Sequence, residues 1–158
     1  MGALGLAVAD RIEETARGIL KRSGEAPAAL VVIGYGLGPS NDQLRRVLGL
    51  SHPGTVRLID RLVADGLAQR GEGHDKRSIA LHLTTKGQAL REDLMRGRLT
   101  VLKPLLLPLT AAEQATFDVL LEKILLHIPR DDQDRCRLCR LCDTSVCVDC
   151  PIPAEFRK

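Results

Sequence analysis

Apolar residues recur every three or four positions in two parts of the chain, as they do on the buried face of a helix. The first stripe predicts a helix within residues 4–23 and consists of Leu4, Val8, Ile12, Ala16 and Ile19. The second part, residues 85–128, carries two further stripes and predicts two long helices. Each follows a capping box, in which a Thr and a Glu or Gln three residues later bond the free amides of a helix start. These boxes are Thr85 with Gln88 and Thr110 with Glu113.

Shorter helices are predicted in the middle of the chain. Ser40 and Gln43 form another capping box, and Gly49 ends the helix that it opens. Ser51 is a natural N-cap for the next helix, and Pro53 suits its first turn, where an amide proton is not needed. Two short helices joined by three or four residues that include a glycine are typical of a helix-turn-helix.

The residues that follow predict a β-hairpin with a charged tip. A polar, glycine-containing loop occupies residues 71–76, and in the second strand Ile79, Leu81 and Leu83 alternate with other residues, as in a half-buried strand. The predicted fold is therefore mainly α with a small β-hairpin wing, an α+β arrangement. It is a winged helix-turn-helix, residues 39–84, within a helical frame.

Composition indicates the class of protein, and the charge distribution indicates which part of the chain meets a charged partner. The 158 residues are 44% hydrophobic and 27% charged, which suits one soluble domain. Neither an 18-residue apolar run nor a signal-peptide pattern is present, so a cytoplasmic protein with no membrane partner is expected. The net charge of +3 arises within residues 42–86, which contain eight basic and five acidic side chains. A local basic excess is what a surface that contacts phosphates requires.

In this order the elements resemble the MarR family of bacterial transcription regulators. The stretch LRRVLGLSHPGTVRLIDRLVADGLAQR is similar to the family's recognition unit, and DKRSIALHLTTKG is similar to its wing. The resemblance covers about residues 4–128 and implies a MarR-like domain over residues 1–129. It implies a homodimer, paired through the helical segments 4–23 and 85–128, that binds double-stranded DNA. We therefore expect a repressor on a pseudo-palindromic operator, with an unknown small-molecule effector.

The resemblance also implies which residues contact DNA. The start of the recognition helix must present small or polar groups to base edges in the major groove. The residues expected there are Ser51, His52, Gly54, Thr55, Arg57 and Arg61. In the wing, Arg77 resembles the arginine that the family inserts into the minor groove. Asp75 resembles its orienting partner, and Lys76 adds a phosphate contact.

A cysteine-rich tail, residues 130–158, is not part of the family's general pattern. All five cysteines of the chain lie there, namely Cys136, Cys139, Cys142, Cys147 and Cys150. Thiolates with two residues between them can reach one metal, and two such pairs suit zinc. The favoured ligands are Cys139, Cys142, Cys147 and Cys150, with Cys136 as an alternative. An iron–sulfur cluster is the second possibility, since the first three cysteines match ferredoxin spacing.

Metal-free thiol chemistry is the third possibility for the tail, because neighbouring arginines lower the pKa of a thiol. The polar residues 130–135 are interpreted as a linker before the cysteines. The sequence therefore predicts a DNA-binding regulator whose cysteine cluster binds metal or senses redox state. The alternative is a redox or electron-transfer protein in which the cysteine pairs are the active part. No Ser-His-Asp or paired-carboxylate arrangement is evident, so catalysis is not expected.

Overall fold

The protein is described here by a computed structural model that covers residues 2–73 and 79–143. In chain order the elements are α1 (Gly2–Leu20), α2 (Ala26–Ile33), α3 (Asn41–Leu48), α4 (His52–Ala64), β1 (Ala68–Glu72), β2 (Ile79–Leu83), α5 (Thr85–Leu106), α6 (Ala111–Leu125) and α7 (Asp132–Cys139). The predicted mainly helical fold with one β-hairpin is confirmed. Within the described ranges, no helix is both long and apolar enough to cross a membrane.

The helix-turn-helix begins at the predicted caps. The Ser40 hydroxyl accepts a hydrogen bond from the amide of Gln43, whose side chain accepts one from the amide of Ser40. Gly49 ends α3 in the left-handed conformation, at φ 66°, which a residue without a Cβ atom adopts readily. The Ser51 hydroxyl then caps α4 by accepting from the amide of Gly54. The two helices are therefore set at a short turn by local hydrogen bonds.

The hydrophobic core surrounds α2, which buries seven of its eight residues. Leu44 of α3, Ile59 of α4 and Leu81 of β2 are completely buried against this helix and its neighbours. Because these three side chains come from α3, α4 and β2, one core orients both helices of the helix-turn-helix and the hairpin. On the other side of the core, α1 packs along α5.

The hairpin is antiparallel, and its residue pairs run from Ala68 with Leu83 to Glu72 with Ile79. The predicted inward face is only partly correct, because Ile79 is 59% exposed while its neighbour Ala80 is buried. The loop before α3 explains this difference. Gly38 of this loop lies against the Ala80 side chain, and the amide of Leu81 donates to the carbonyl oxygen of Pro39 at 3.0 Å.

Helix α5 starts one residue earlier than the predicted capping box. Thr84, not Thr85, is the N-cap, and its hydroxyl accepts from the amide of Gly87. Because the cap is Thr84, the predicted Thr85–Gln88 box does not form. The third residue after Thr84 is Gly87, which has no side chain to complete a box. A Cβ atom on Gly87 would overlap the carbonyl oxygen of Leu67, so close packing against the segment before β1 requires glycine there. The Thr110–Glu113 box of α6 is present as predicted.

The linker interpretation of residues 130–135 is wrong, because most of this segment lies in a helix. Asp131 caps α7 by accepting a hydrogen bond from the amide of Asp134 at 2.8 Å. Acidic residues in the first turn stabilise the positive end of the helix dipole. The helix packs against α3. The first part of the tail is therefore attached to the helix-turn-helix.

Candidate nucleic-acid interface and cysteine pair

The outward face of α4 carries most of the residues predicted to contact DNA. Ser51, His52, Arg57 and Arg61 are exposed, and Gly54 is half-buried beneath the Ser51 cap. Arg57 and Arg61 are one helical turn apart, and the Arg61 Nε donates to the Arg57 carbonyl oxygen at 3.2 Å. Among the described residues, no carboxylate forms an ion pair with either guanidinium. Both cations are therefore available to an external anion.

Thr55 is a correction to the predicted site, because its exposed fraction is 1%. Its hydroxyl donates to the carbonyl oxygen of Ser51 at 3.1 Å, so the side chain is satisfied within the helix. Thr55 lies three and four residues before the buried Leu58 and Ile59. It therefore belongs to the core-facing stripe of α4 and does not present a group to a base edge.

Further arginines lie on α3 and β1, the elements that contact α4, although no sequence motif selects them. Arg45 and Arg46 of α3 both pair with Asp42, at 2.9 and 2.6 Å. The hydrogen bonds from Arg45 and then Arg46 hold the pKa of the Asp42 carboxyl below its usual value. Arg70 of β1 pairs with Asp60 of α4, which links the hairpin to the outward helix. The local basic excess in the sequence was a signal that could have found these side chains.

Two groups of predicted residues lie outside the described ranges. Asp75, Lys76 and Arg77, the expected wing contacts, are in one of them. Cys147 and Cys150, two of the expected metal ligands, are in the other. These assignments stay predictions.

The cysteine tail places one reactive pair at the end of α7. The amide of Cys142 donates to the carbonyl oxygen of Cys139 at 2.9 Å, so the two residues form a tight turn. A hydrogen bond from the Cys139 thiol, aided by charge and a hydrogen bond from Arg98, lowers the pKa of Cys142 to about 6 against the effect of burial. The activating arginine therefore comes from α5. The arginines of the tail, which the sequence suggested, do not fill this role at Cys142.

Cys136 is in a different environment, one helical turn before Cys139. Burial raises the pKa of its thiol, and the opposing charge and hydrogen bond of Arg135 are the smaller effects. The three cysteines of the described tail are not joined by disulfides. Over residues 2–73 and 79–143, no three potential ligands converge as a metal would require. The described half of the predicted zinc site is therefore the pair Cys139 and Cys142.

Two side chains from distant elements anchor this turn. The Tyr35 hydroxyl, just after α2, donates to the carbonyl oxygens of Cys139 at 2.6 Å and Cys142 at 3.2 Å. Burial is the main reason that the pKa of the Tyr35 phenol is raised, so it remains a donor. Arg98 donates to the carbonyl oxygen of Leu141 at 2.8 Å, and the Leu141 side chain packs against the core.

A short helix, a turn, an outward helix and a two-stranded hairpin define a winged helix-turn-helix protein. The family model described as "MarR family" matches residues 20–78. The relatives found by sequence and by structure are MarR proteins as well, so the chain is similar to the MarR family in sequence and in fold. The predicted resemblance to this family is therefore confirmed.

A relative found by sequence is the multiple antibiotic resistance protein MarR of Escherichia coli K12. It is 36% identical over 86 residues, and the match spans 52% of this chain and 59% of that protein. The reduced form of MarR from E. coli has a TM-score of 0.64 at 28% identity, covering 79% of this chain and 96% of that one. A cysteine-to-serine mutant of MarR complexed with operator DNA gives 0.58 at 28%, covering 78% and 92%.

Proposed function

We propose that this protein is a sequence-specific, DNA-binding transcription regulator that inserts α4 into the major groove. The observation that carries the proposal is the exposed pair Arg57 and Arg61 on the outward face of a MarR-like recognition helix. The solved complex of a MarR mutant with operator DNA supports it, because that protein shares the fold. Ser51 and His52 are exposed at the start of α4, and we assign them to contacts with base edges.

The surrounding arginines fit a role in phosphate contact. Arg45 and Arg46 lie on α3, the helix that crosses the DNA backbone in helix-turn-helix complexes. Their shared partner, Asp42, is exposed, so a phosphate can replace it with little loss of solvation. We assign these arginines, together with the predicted Lys76 and Arg77 of the wing, to backbone positioning. Base recognition is assigned to the start of α4.

The proposal is tested by selection from a randomised DNA duplex pool. Because a two-fold symmetric dimer reads two half-sites, the protein should enrich an inverted repeat with half-sites about one helical turn apart. A matched control is the double variant Arg57→Gln, Arg61→Gln, which should enrich no sequence. Recovery of no common sequence by the unmodified protein would contradict sequence-specific binding.

Homodimer formation is proposed from the apolar surface of the helical frame. Helix α6 buries no residue within the chain, although it carries an apolar stripe. Exposed apolar side chains on or beside α1, α5 and α6 include Leu4, Leu6, Leu99, Leu107, Val119, Leu120, Ile124 and Ile128. An apolar stripe that stays uncovered within its own chain is typical of an interface, and a second copy is the occupant that the family resemblance implies. As a dimer on its operator, the protein is proposed to repress transcription, which a reporter gene placed behind the selected sequence tests.

A metal site in the tail is the second proposal. The tight turn that holds Cys139 close to Cys142 supports two of the four predicted zinc ligands, with Cys147 and Cys150 as the others. An iron–sulfur cluster is the alternative metal group, and a metal-free thiol switch the third reading. Elemental analysis of anaerobically purified protein tests zinc, and its visible absorption spectrum tests the cluster. One zinc per chain in a colourless protein is the expected result.

A further inference from the structure

The tail reaches the helix-turn-helix at the turn between its two helices. Helix α7 packs on α3, and the guanidinium of Arg137 lies 3.2 Å from where a Cβ atom would be at Gly49. Gly49 ends α3 and lies two residues before Ser51, the N-cap of α4. A cation from the tail is therefore next to the start of the recognition helix.

This turn is on the side of the molecule that meets DNA in helix-turn-helix complexes. In such complexes the first helix crosses the phosphate backbone and the start of the second enters the major groove, so the turn between them lies beside the backbone. Arg45 and Arg46, assigned above to backbone contact, lie within one helical turn of Gly49. Arg137 is exposed, and none of the ion pairs among the described residues includes it. Its charge can therefore meet an external anion.

Contacts with the rest of the domain hold this end of α7 in place. Tyr35 and Arg98 donate hydrogen bonds to three backbone carbonyls in the last residue of α7 and the turn that follows. In the same turn, Arg140 donates to the carbonyl oxygen of Arg137 at 2.6 Å and lies 4.0 Å from the Glu25 carboxylate. The backbone that carries Arg137 is therefore fixed before DNA arrives, which lowers the ordering cost of a contact.

We propose that Arg137 binds a phosphate of the DNA backbone, so that α7 is part of the DNA-binding surface. This contact rests on the proposed regulator function and adds to it a cation that neither the helix-turn-helix nor the wing supplies. A guanidinium suits the role because it can donate two parallel hydrogen bonds to one phosphate. Phosphates occur at every step of the duplex, so the contact adds affinity and fixes the position of the protein without reading sequence. Tyr35 is a positioning residue for this contact.

A purely structural role for Arg137 makes different predictions. Its guanidinium also lies at the C-terminal end of α3, where a cation stabilises the helix dipole. That effect alone would change the free energy of unfolding and leave DNA binding by the folded chain unchanged. A phosphate contact, in contrast, releases a counterion and changes the salt dependence of binding. Measuring stability and binding on the same variants separates the two roles.

The test is the dissociation constant of the full chain for the selected duplex and for a scrambled duplex, over a range of salt concentrations. Arg137→Gln should weaken binding to both duplexes by the same factor, about fivefold, and lower the slope of log Kd against log salt by about one. Arg137→Lys keeps the charge and should keep the slope. The matched control is Arg130→Gln, an exposed arginine just before α7 that pairs with Asp134, and it should change neither quantity.

A double-variant cycle tests the positioning role of Tyr35. Tyr35→Phe keeps the ring and removes the hydroxyl that bonds the turn after α7. It should weaken binding to both duplexes in the unmodified chain and have no further effect in Arg137→Gln, because the two residues act through one contact. Urea denaturation shows that each variant is folded under the binding conditions. Equal losses in both backgrounds would overturn the positioning role.

The outcomes separate the phosphate contact from the proposed function. Unchanged affinity and slope in Arg137→Gln, whatever its stability, would overturn the contact while the regulator function stands. Equal losses in Arg137→Gln and Arg130→Gln would show that only the charge of the tail matters and would also overturn it. If the unmodified chain binds both duplexes equally and Arg137→Gln still lowers the slope, sequence-specific regulation fails while the contact stands. Absence of DNA binding by the unmodified chain would overturn both.

Discussion

At the scale of single residues, neighbouring positions on α4 have opposite roles. Thr55 is buried and bonded to the Ser51 carbonyl, whereas Arg57, two residues later, is exposed. Helical geometry places positions two residues apart on different faces, so proximity in sequence is a poor guide to which side chain meets DNA. The distinction gives two predictions with different readouts.

The arginine prediction concerns affinity. Arg57→Gln and Arg61→Gln should each weaken operator binding about tenfold, because each removes one cation from the DNA-facing surface. Fluorescence anisotropy with the selected duplex measures the change. Arg96→Gln on α5 is the matched control, since it removes an exposed arginine from another surface. Equal losses in all three variants would show that only net charge matters and would argue against α4 as the contact.

The threonine prediction concerns stability. Thr55→Ala should lower the free energy of unfolding by about 1–2 kcal/mol, because it removes a buried methyl group and a hydroxyl that is hydrogen-bonded. Urea denaturation measures this change, and the affinity of the folded protein for DNA should stay the same. A variant of normal stability with impaired operator binding would restore Thr55 to the contact set.

At the scale of elements, helix starts were read well from sequence where a capping box was unique. The boxes at Ser40 and Thr110 are present as predicted. At α5, two threonines stand side by side, and a Gln three residues after Thr85 favoured the wrong one. The choice is made by tertiary contacts: the Thr84 hydroxyl also donates to the carbonyl oxygen of Gly66 at 2.6 Å. Such a long-range bond has no local signal.

The two threonines provide a matched test. Thr84→Ala should lower the free energy of unfolding by about 1 kcal/mol or more, since it removes the cap of α5 and the bond to Gly66. Thr85→Ala, at an exposed position of the same turn, should change it by less than about 0.5 kcal/mol. Thermal and urea denaturation measure both. The reverse order would show that the cap is at Thr85.

At the scale of the whole molecule, the sequence predicted the order of elements but not how the tail attaches. The bond from the Tyr35 hydroxyl to the Cys139 carbonyl spans 104 residues, and its acceptor is a backbone atom with no residue-specific pattern. Sequence spacing identified the cysteine pair, yet its activating cation is Arg98 of α5. Local sequence patterns therefore identify the cysteine pair, whereas the residues around it are brought together only by the fold.

The apolar face of α6 gives a prediction for the assembly. Leu120 and Ile124 are one turn apart and are 51% and 39% exposed within the chain. The double variant Leu120→Glu, Ile124→Glu should sediment as a monomer at concentrations where the unmodified protein is a dimer, because buried charges oppose association. Glu122→Gln on the same helix is the control. A dimer of unchanged stability in the double variant would place the interface elsewhere.

The central claim is that this basic, winged helix-turn-helix surface binds DNA, and its most direct test is the dissociation constant for the selected duplex as a function of salt. Because each phosphate contact releases a counterion, log Kd should rise linearly with log salt, and the slope should fall by about two in the double variant Arg57→Gln, Arg61→Gln. A scrambled duplex should bind more weakly at every salt concentration. Absence of binding at low salt, or binding that does not respond to salt, would contradict the account.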